Sequence, residues 1–132
     1  MCMRALLIVD AANVVGSVPD GWWRDRRGAT ERLRERLVAY AAAGLPGPVA
    51  DPPLPGPLEV VLVVEGAARG VASVPGVRVV AADGSGDDRI VALVAQREPG
   101  RRCAVVTADR ELRERVRARG AQVLGPRAVR PA

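Results

Sequence analysis

The sequence predicts an α/β domain built on a mostly parallel five-stranded sheet, doubly wound, with helices on both faces. Three observations carry this expectation. Five apolar runs of strand length, rich in β-branched residues, recur along the chain; they are continuous rather than alternating, the pattern of strands covered on both faces. The stretches between them repeat their apolar residues at helical spacing, and strands that alternate with helices require crossover connections. The length of 132 residues suits one core that buries roughly two-thirds of the unfolded surface.

The first strand is read at 5–9, "ALLIV", running into a polar DAAN turn. A helix is read as beginning in "DGWWRDRRGATERL", with Trp22, Trp23 and Arg24 at its start, and in 30–43 Leu33, Leu37 and Ala41 recur every four residues opposite arginines and glutamates. Segment 44–57 holds six of the eleven prolines and reads as a stiff, extended connector. Neither flank could fold alone, so the whole of 1–132 is taken as one domain.

The second and third strands are read at 58–64, "LEVVLVV", and 77–82, "VRVVAA". A helix over 87–97 carries the stripe Ile90, Val91 and Val94. The fourth strand, 103–107, a helix over 109–119 carrying Leu112 and Val116, and the fifth strand, 121–125, form a compact βαβ unit. Gly120 stands where a helix C-cap is wanted. In all, the pattern gives five strands and about four helices, and 126–132 is expected to be a frayed basic tail.

Aromatic residues make up only 2% of the chain and Phe is absent, so Val, Leu, Ile and Ala must fill the core. All twenty cations are Arg. They read either as codon bias on a solvated surface or, with the net charge of +5, as attraction for an acidic partner such as nucleic acid. Cys2 and Cys103 each lie beside an apolar run, which suits buried, reduced thiols. No segment approaches the ~20 apolar residues of a membrane span, and the start is too short for a signal-peptide core. A soluble, cytoplasmic protein is expected.

Absences narrow the chemistry. Without His there is no Ser–His or Cys–His pair and no imidazole ligand. Without Lys there is no phosphate-loop lysine and no Schiff base. No CxxC occurs. Carboxylate chemistry is what the residue types leave, and oxygen donors suit Mg²⁺ or Mn²⁺.

In open α/β sheets, ligands bind beyond the carboxyl ends of the strands. Asp10 closes the first strand, Asp87 and Asp88 open the helix after the third, and Asp109 follows the fourth. Each helix-start acid has a purely structural alternative as a cap or first-turn charge; the conjunction at equivalent strand ends is the functional signal. Asn13 is either a turn residue or a group that orients Asp10, a metal water or a phosphate. Thr107 is either a β-branched strand end or a hydroxyl reaching phosphate. Glu65, after the second strand, is either a further acidic ligand or a charge for the short helix behind it.

These motifs, "LLIVDAANVVG", "VVLVVEG", "GSGDD" and "VVTADRE", resemble the NYN branch of the PIN-like nucleases, particularly the YacP-like group. The resemblance runs from Leu6 to about Leu124 and implies a three-layer Rossmann-like fold in which strand-end and helix-start acids converge on Mg²⁺ or Mn²⁺. It places Asp10 and Asn13 in the opening D-x-x-N motif, Asp87 and Asp88 at the central acids, and Thr107 and Asp109 in the Thr/Ser-x-Asp motif. Glu65 departs from the Asp usual after the second strand. Trp22 and Trp23 are also distinctive; they either pack over the helix–sheet edge or offer a stacking platform for bases.

The resemblance implies a metal-dependent nuclease cutting phosphodiester bonds in RNA, with Asp10, Asp87 and Asp109 catalytic, those three and Asp88 holding the metal, and Arg24, Arg26, Arg89 and Arg110 neutralising phosphate. Two other readings fit the same residues: a nucleotide phosphohydrolase, akin to nucleoside triphosphate pyrophosphohydrolases, or a non-catalytic RNA-binding module on a degenerate nuclease fold. A toxin role is compatible with a domain of this size, although no sequence feature reports an antitoxin.

Overall fold

The computed structural model describes residues 3–130. Strand β1 (Leu6–Asp10) leads directly into a short helix α1 (Ala11–Val15), and the long helix α2 (Arg26–Ala43) follows. Two two-residue strands, β2 (Gly44–Leu45) and β3 (Leu54–Pro55), pair antiparallel as a small ribbon. The chain continues through β4 (Glu59–Val64), β5 (Val77–Ala81), α3 (Gly86–Gln96), β6 (Cys103–Val106), α4 (Arg110–Arg117) and β7 (Gln122–Leu124). The main sheet has five strands in the order β5-β4-β1-β6-β7, and every pairing in it is parallel. The expected α/β class and sheet are present.

Alternation along each strand divides the core in two. Leu7, Val9, Val60, Leu62, Val64, Ala104 and Val106 face one side with α1 and α2, where Leu33, Leu37 and Ala41 meet them. Leu6, Ile8, Val61, Val63, Cys103 and Val105 face the other, against Ile90 and Val94 of α3 and Leu112 and Val116 of α4. Both faces are covered, which is why the strand sequences are apolar at consecutive positions. Fully burying one Leu or Val contributes about 1.5–3 kcal/mol, enough for this core to offset burial of a polar group at the strand ends.

Topology fixes where a site can form. From β1 the chain moves outward through β4 to β5, then returns by way of α3 to β6 on the other side of β1. The strand order therefore reverses at β1, and the crevice beyond its carboxyl end is the switch point.

Three expectations are corrected. The Pro-rich segment is not extended: it doubles back through the β2–β3 ribbon because Leu45, Ala50 and Leu54 bury themselves in the main core. Residues 126–130 are not frayed. Pro126–Ala128 form a 3-10 turn, Val129 is fully buried, and Arg130 donates to the Val14 and Val15 carbonyls and pairs with Asp20; the last two residues lie outside the described range. Trp22–Arg24 form a separate 3-10 turn rather than the start of α2, because Gly21 (φ 86°) redirects the chain and Asp25 caps α2 at Gly28 N, 2.9 Å away.

Cys103 is buried, and burial pushes its thiol up to about 11; Cys2 lies outside the described residues. No described helix is long and apolar enough to cross a membrane.

Candidate active site at the carboxyl edge of the sheet

Asp10 ends β1 with only 7% of its surface exposed. Its position is dictated by register: the strand pairs on both sides through Val9, so its last residue must emerge between β4 and β6. One carboxylate oxygen accepts the Thr107 hydroxyl at 3.0 Å; the other caps α1 by a long 3.4 Å bond from Asn13 N. Burial, first, and then repulsion from Asp87 and Glu65 raise its pKa to about 6, against the pull of those hydrogen bonds.

The β6–α4 loop is wired to the same place. Thr107, fully buried, accepts the Asp109 amide at 3.1 Å through the hydroxyl that donates to Asp10. Asn13 does not reach toward open space: its Oδ1 accepts the Ala108 amide at 2.7 Å, fastening α1 to this loop. Asp109 is the N-cap of α4, accepting Leu112 N at 2.9 Å through Oδ1. The cap reading of Asp109 is therefore fulfilled, with Oδ2 left over.

On the opposite side α3 begins. Its N-cap is Ser85, not an aspartate: the serine hydroxyl accepts Asp87 N at 3.2 Å. Asp87 therefore stands in the first turn, and its carboxylate accepts no hydrogen bond among the described residues. Desolvation, then repulsion from Asp109 and Glu65, raise its pKa, and Arg115 only partly offsets them. Asp88 pairs with Arg115 at 2.9 Å.

Glu65 takes a role that its sequence neighbourhood did not announce. It makes no side-chain cap to the turn that follows it. Instead Oε2 accepts the Gly86 amide, holding the start of α3 against the end of β4. A Cβ at Gly86 would lie 2.8 Å from that oxygen, so glycine is what permits the approach.

The structure thus places Asp87 within electrostatic reach of Asp10, Glu65 and Asp109, and Asp10 within reach of Glu65. It does not close them into a cage: among the described residues, no group of three or more acidic or thiol side chains is placed to hold a metal ion. Beside them lies a cleft of about 140 Å³, lined by Ala11, Ala12, Trp22, Arg26 and Glu65 among others. Two larger grooves, each near 500 Å³, lie at the opposite, amino-terminal edge of the sheet, around Arg4, Glu59 and Arg101, and share no residue with the acids.

Of the arginines singled out from sequence, Arg24 lies over the Trp23 ring (5.9 Å to its centroid) and Arg26 over Trp22 (5.3 Å). Neither these two nor Arg89 and Arg110 form an ion pair among the described residues.

No family model matches the chain, and no curated protein matches it. Solved structures do. Rae1 (YacP) from Bacillus subtilis aligns with a TM-score of 0.68 at 20% identity, over 96% of this chain and 71% of that one. This chain shares the fold of Rae1 (YacP). A tryptophan-to-leucine variant of Rae1 gives a TM-score of 0.67 at 18% identity, over 96% and 72% of the two chains. At such identity the likeness establishes architecture, and at that level the resemblance drawn from the motifs is borne out.

Proposed function

We propose that this chain is a divalent-metal-dependent nuclease that hydrolyses phosphodiester bonds in RNA, working at the edge formed by Asp10 and Asp87. One observation carries the reading: four carboxylates from separate elements gather at the switch point, and Asp10 and Asp87 titrate upward partly because of it. Repulsion of this kind is relieved by a cation.

The donors are all oxygen, which fits Mg²⁺ or Mn²⁺. Because no three side chains enclose an ion, the fit is to a hydrated cation held by one or two carboxylates, as Mg²⁺ commonly is. Asp10 and Asp87 would hold it, with the free oxygen of Asp109 accepting from its water shell and Asp88 set aside on Arg115. When bound, such an ion polarises a phosphoryl oxygen and lowers the pKa of a water.

The protein's own groups do the positioning. Thr107 fixes one oxygen of Asp10 and leaves the other on a weak cap bond. Asn13 and Thr107 together set the loop that presents Asp109. Arg89 and Arg110 flank Asp87 and Asp109 in sequence and are free to neutralise substrate phosphate, with Arg24 and, in the cleft wall, Arg26 adding to the basic surface. A cleft of about 140 Å³ falls short of the roughly 300–1,000 Å³ that encloses a drug-sized ligand. That favours a polymer lying across the edge over a nucleoside triphosphate held inside it.

The missing cage also favours a second reading, an RNA-binding module without catalysis. Labelled single-stranded RNA incubated with Mn²⁺ separates the two. The nuclease reading expects cleavage that Asp87→Asn lowers by at least about 100-fold, on the scale of losing a catalytic group. Intact RNA with undiminished binding in the wild type establishes the module instead.

A further inference from the structure

We infer that the cleft beside the acids is a nucleobase subsite, which takes one unstacked base carrying an exocyclic amino group from single-stranded RNA. The inference rests on the nucleic-acid reading above and adds what the chain recognises.

The cleft is built from two kinds of residue. Trp22 and Arg26 form one wall, with the guanidinium 5.3 Å from the ring centroid. Ala11, Ala12 and Ala68 leave the remaining space open because their side chains are small. Trp22 is held rather than loose. It packs half-buried against the core, its ring edge approaches the backbone at Gly16, and Trp23 meets it edge-on at 6.0 Å and 86°. Proteins that bind single-stranded RNA stack bases on aromatic rings and on arginine planes, and they read the exposed Watson–Crick edges. A volume near 140 Å³ matches a single ring system and excludes a whole nucleotide with its phosphates.

Glu65 also lines the cleft. Oε2 is committed to Gly86 N, and no donor reaches Oε1 among the described residues. A carboxylate oxygen accepts hydrogen bonds only. It therefore favours bases with an amino group, as acidic side chains accept from the cytosine amine, and disfavours uracil, whose one Watson–Crick donor, N3–H, stands between two carbonyl oxygens that repel the carboxylate. The cleft also borders α1, the helix that Asp10 caps. A base seated there would hold its own phosphate group near the acids.

Trp22 and Trp23 are the only tryptophans, so a Trp23→Leu background makes Trp22 the sole indole reporter. Titration of that variant with CMP, AMP and UMP should quench Trp22 emission saturably for CMP and AMP, with at least threefold weaker binding of UMP. Adding Ala12→Leu, on an exposed position of α1, fills the cleft and should weaken CMP binding about tenfold while the circular dichroism spectrum is unchanged. Equal binding of all three nucleotides, or quenching indifferent to Ala12→Leu, overturns the inference. The readout needs no cleavage. Base-selective quenching in a chain that cuts no RNA would sink the nuclease reading alone, and cleavage without such quenching would sink the subsite alone.

Discussion

Thr107 donates its hydroxyl hydrogen to Asp10 at 3.0 Å across 97 residues of chain, and the same oxygen accepts the Asp109 amide. One buried hydroxyl therefore joins β1 to the turn that opens α4. The bond to Asp10 favours the ionised carboxylate and lowers its pKa, so Thr107 works against the burial that raises it.

Removing the hydroxyl while keeping the shape tests this link. Thr107→Val leaves both a buried carboxylate oxygen and a backbone amide without their partner, a loss of about 1–3 kcal/mol. It should also move the Asp10 titration upward. Thr107→Ser should restore most of both. Urea denaturation and carboxyl NMR titration measure the two effects; a valine variant that matches the wild type in both would show that the hydroxyl links nothing.

Asp10 gives a pH prediction whose sign is unusual for an aspartate. Its pKa is raised from 3.8 to about 6, so the native state holds the proton more tightly than the unfolded chain does. Stability is then lost as pH rises through that window and the penalty is complete above pH 6. At about 1.4 kcal/mol per unit, it amounts to roughly 2–3 kcal/mol. Asp10→Asn, which carries no charge, should unfold at higher urea than the wild type at pH 7.5, and the gap should shrink as pH falls toward 4. A variant less stable than the wild type at pH 7.5 contradicts this account.

How much of this was legible in the sequence depends on how local the cause is. Asp10 was readable because it directly follows four apolar strand residues, and the strand–helix rhythm fixed which ends it would share with Asp87 and Asp109. Glu65 was not readable as a clamp, since its partner Gly86 lies 21 residues away. Asn13 likewise bonds to Ala108, 95 residues on, so a turn propensity was all that its neighbours revealed. In the Pro-rich segment, composition concealed the three apolar residues that fold it back. The tail misled for a similar reason: Val129 is one apolar residue among basic ones, and only the core it enters shows that it is anchored.

Asp109 carries two readings that one pair of variants separates. As the N-cap of α4 it needs only an acceptor, which Asn supplies equally well. As a site acid it needs charge. Asp109→Asn should therefore stay within about 0.5 kcal/mol of wild-type stability yet lose RNA cleavage, whereas Asp109→Ala should lose both, at a cost of about 1 kcal/mol. Full cleavage by the asparagine variant would reduce Asp109 to a cap.

The gathering of charge at the sheet edge makes its own prediction about cations. An ion that binds only the folded chain stabilises it by mass action, by about 2.7 kcal/mol at one hundred times its dissociation constant. Mn²⁺ or Mg²⁺ at millimolar concentration should therefore raise the melting temperature at pH 7.5. The effect should fade toward pH 5, where Asp10, with a pKa of about 6, takes up its proton. Asp87 offers the sharpest control. Its carboxylate accepts no hydrogen bond among the described residues and repels Asp109 and Glu65, so Asp87→Asn should leave the metal-free chain as stable as the wild type or more so, while abolishing the metal-induced shift. Calorimetry that finds the same shift in Asp87→Asn would place the cation elsewhere and detach Asp87 from the site.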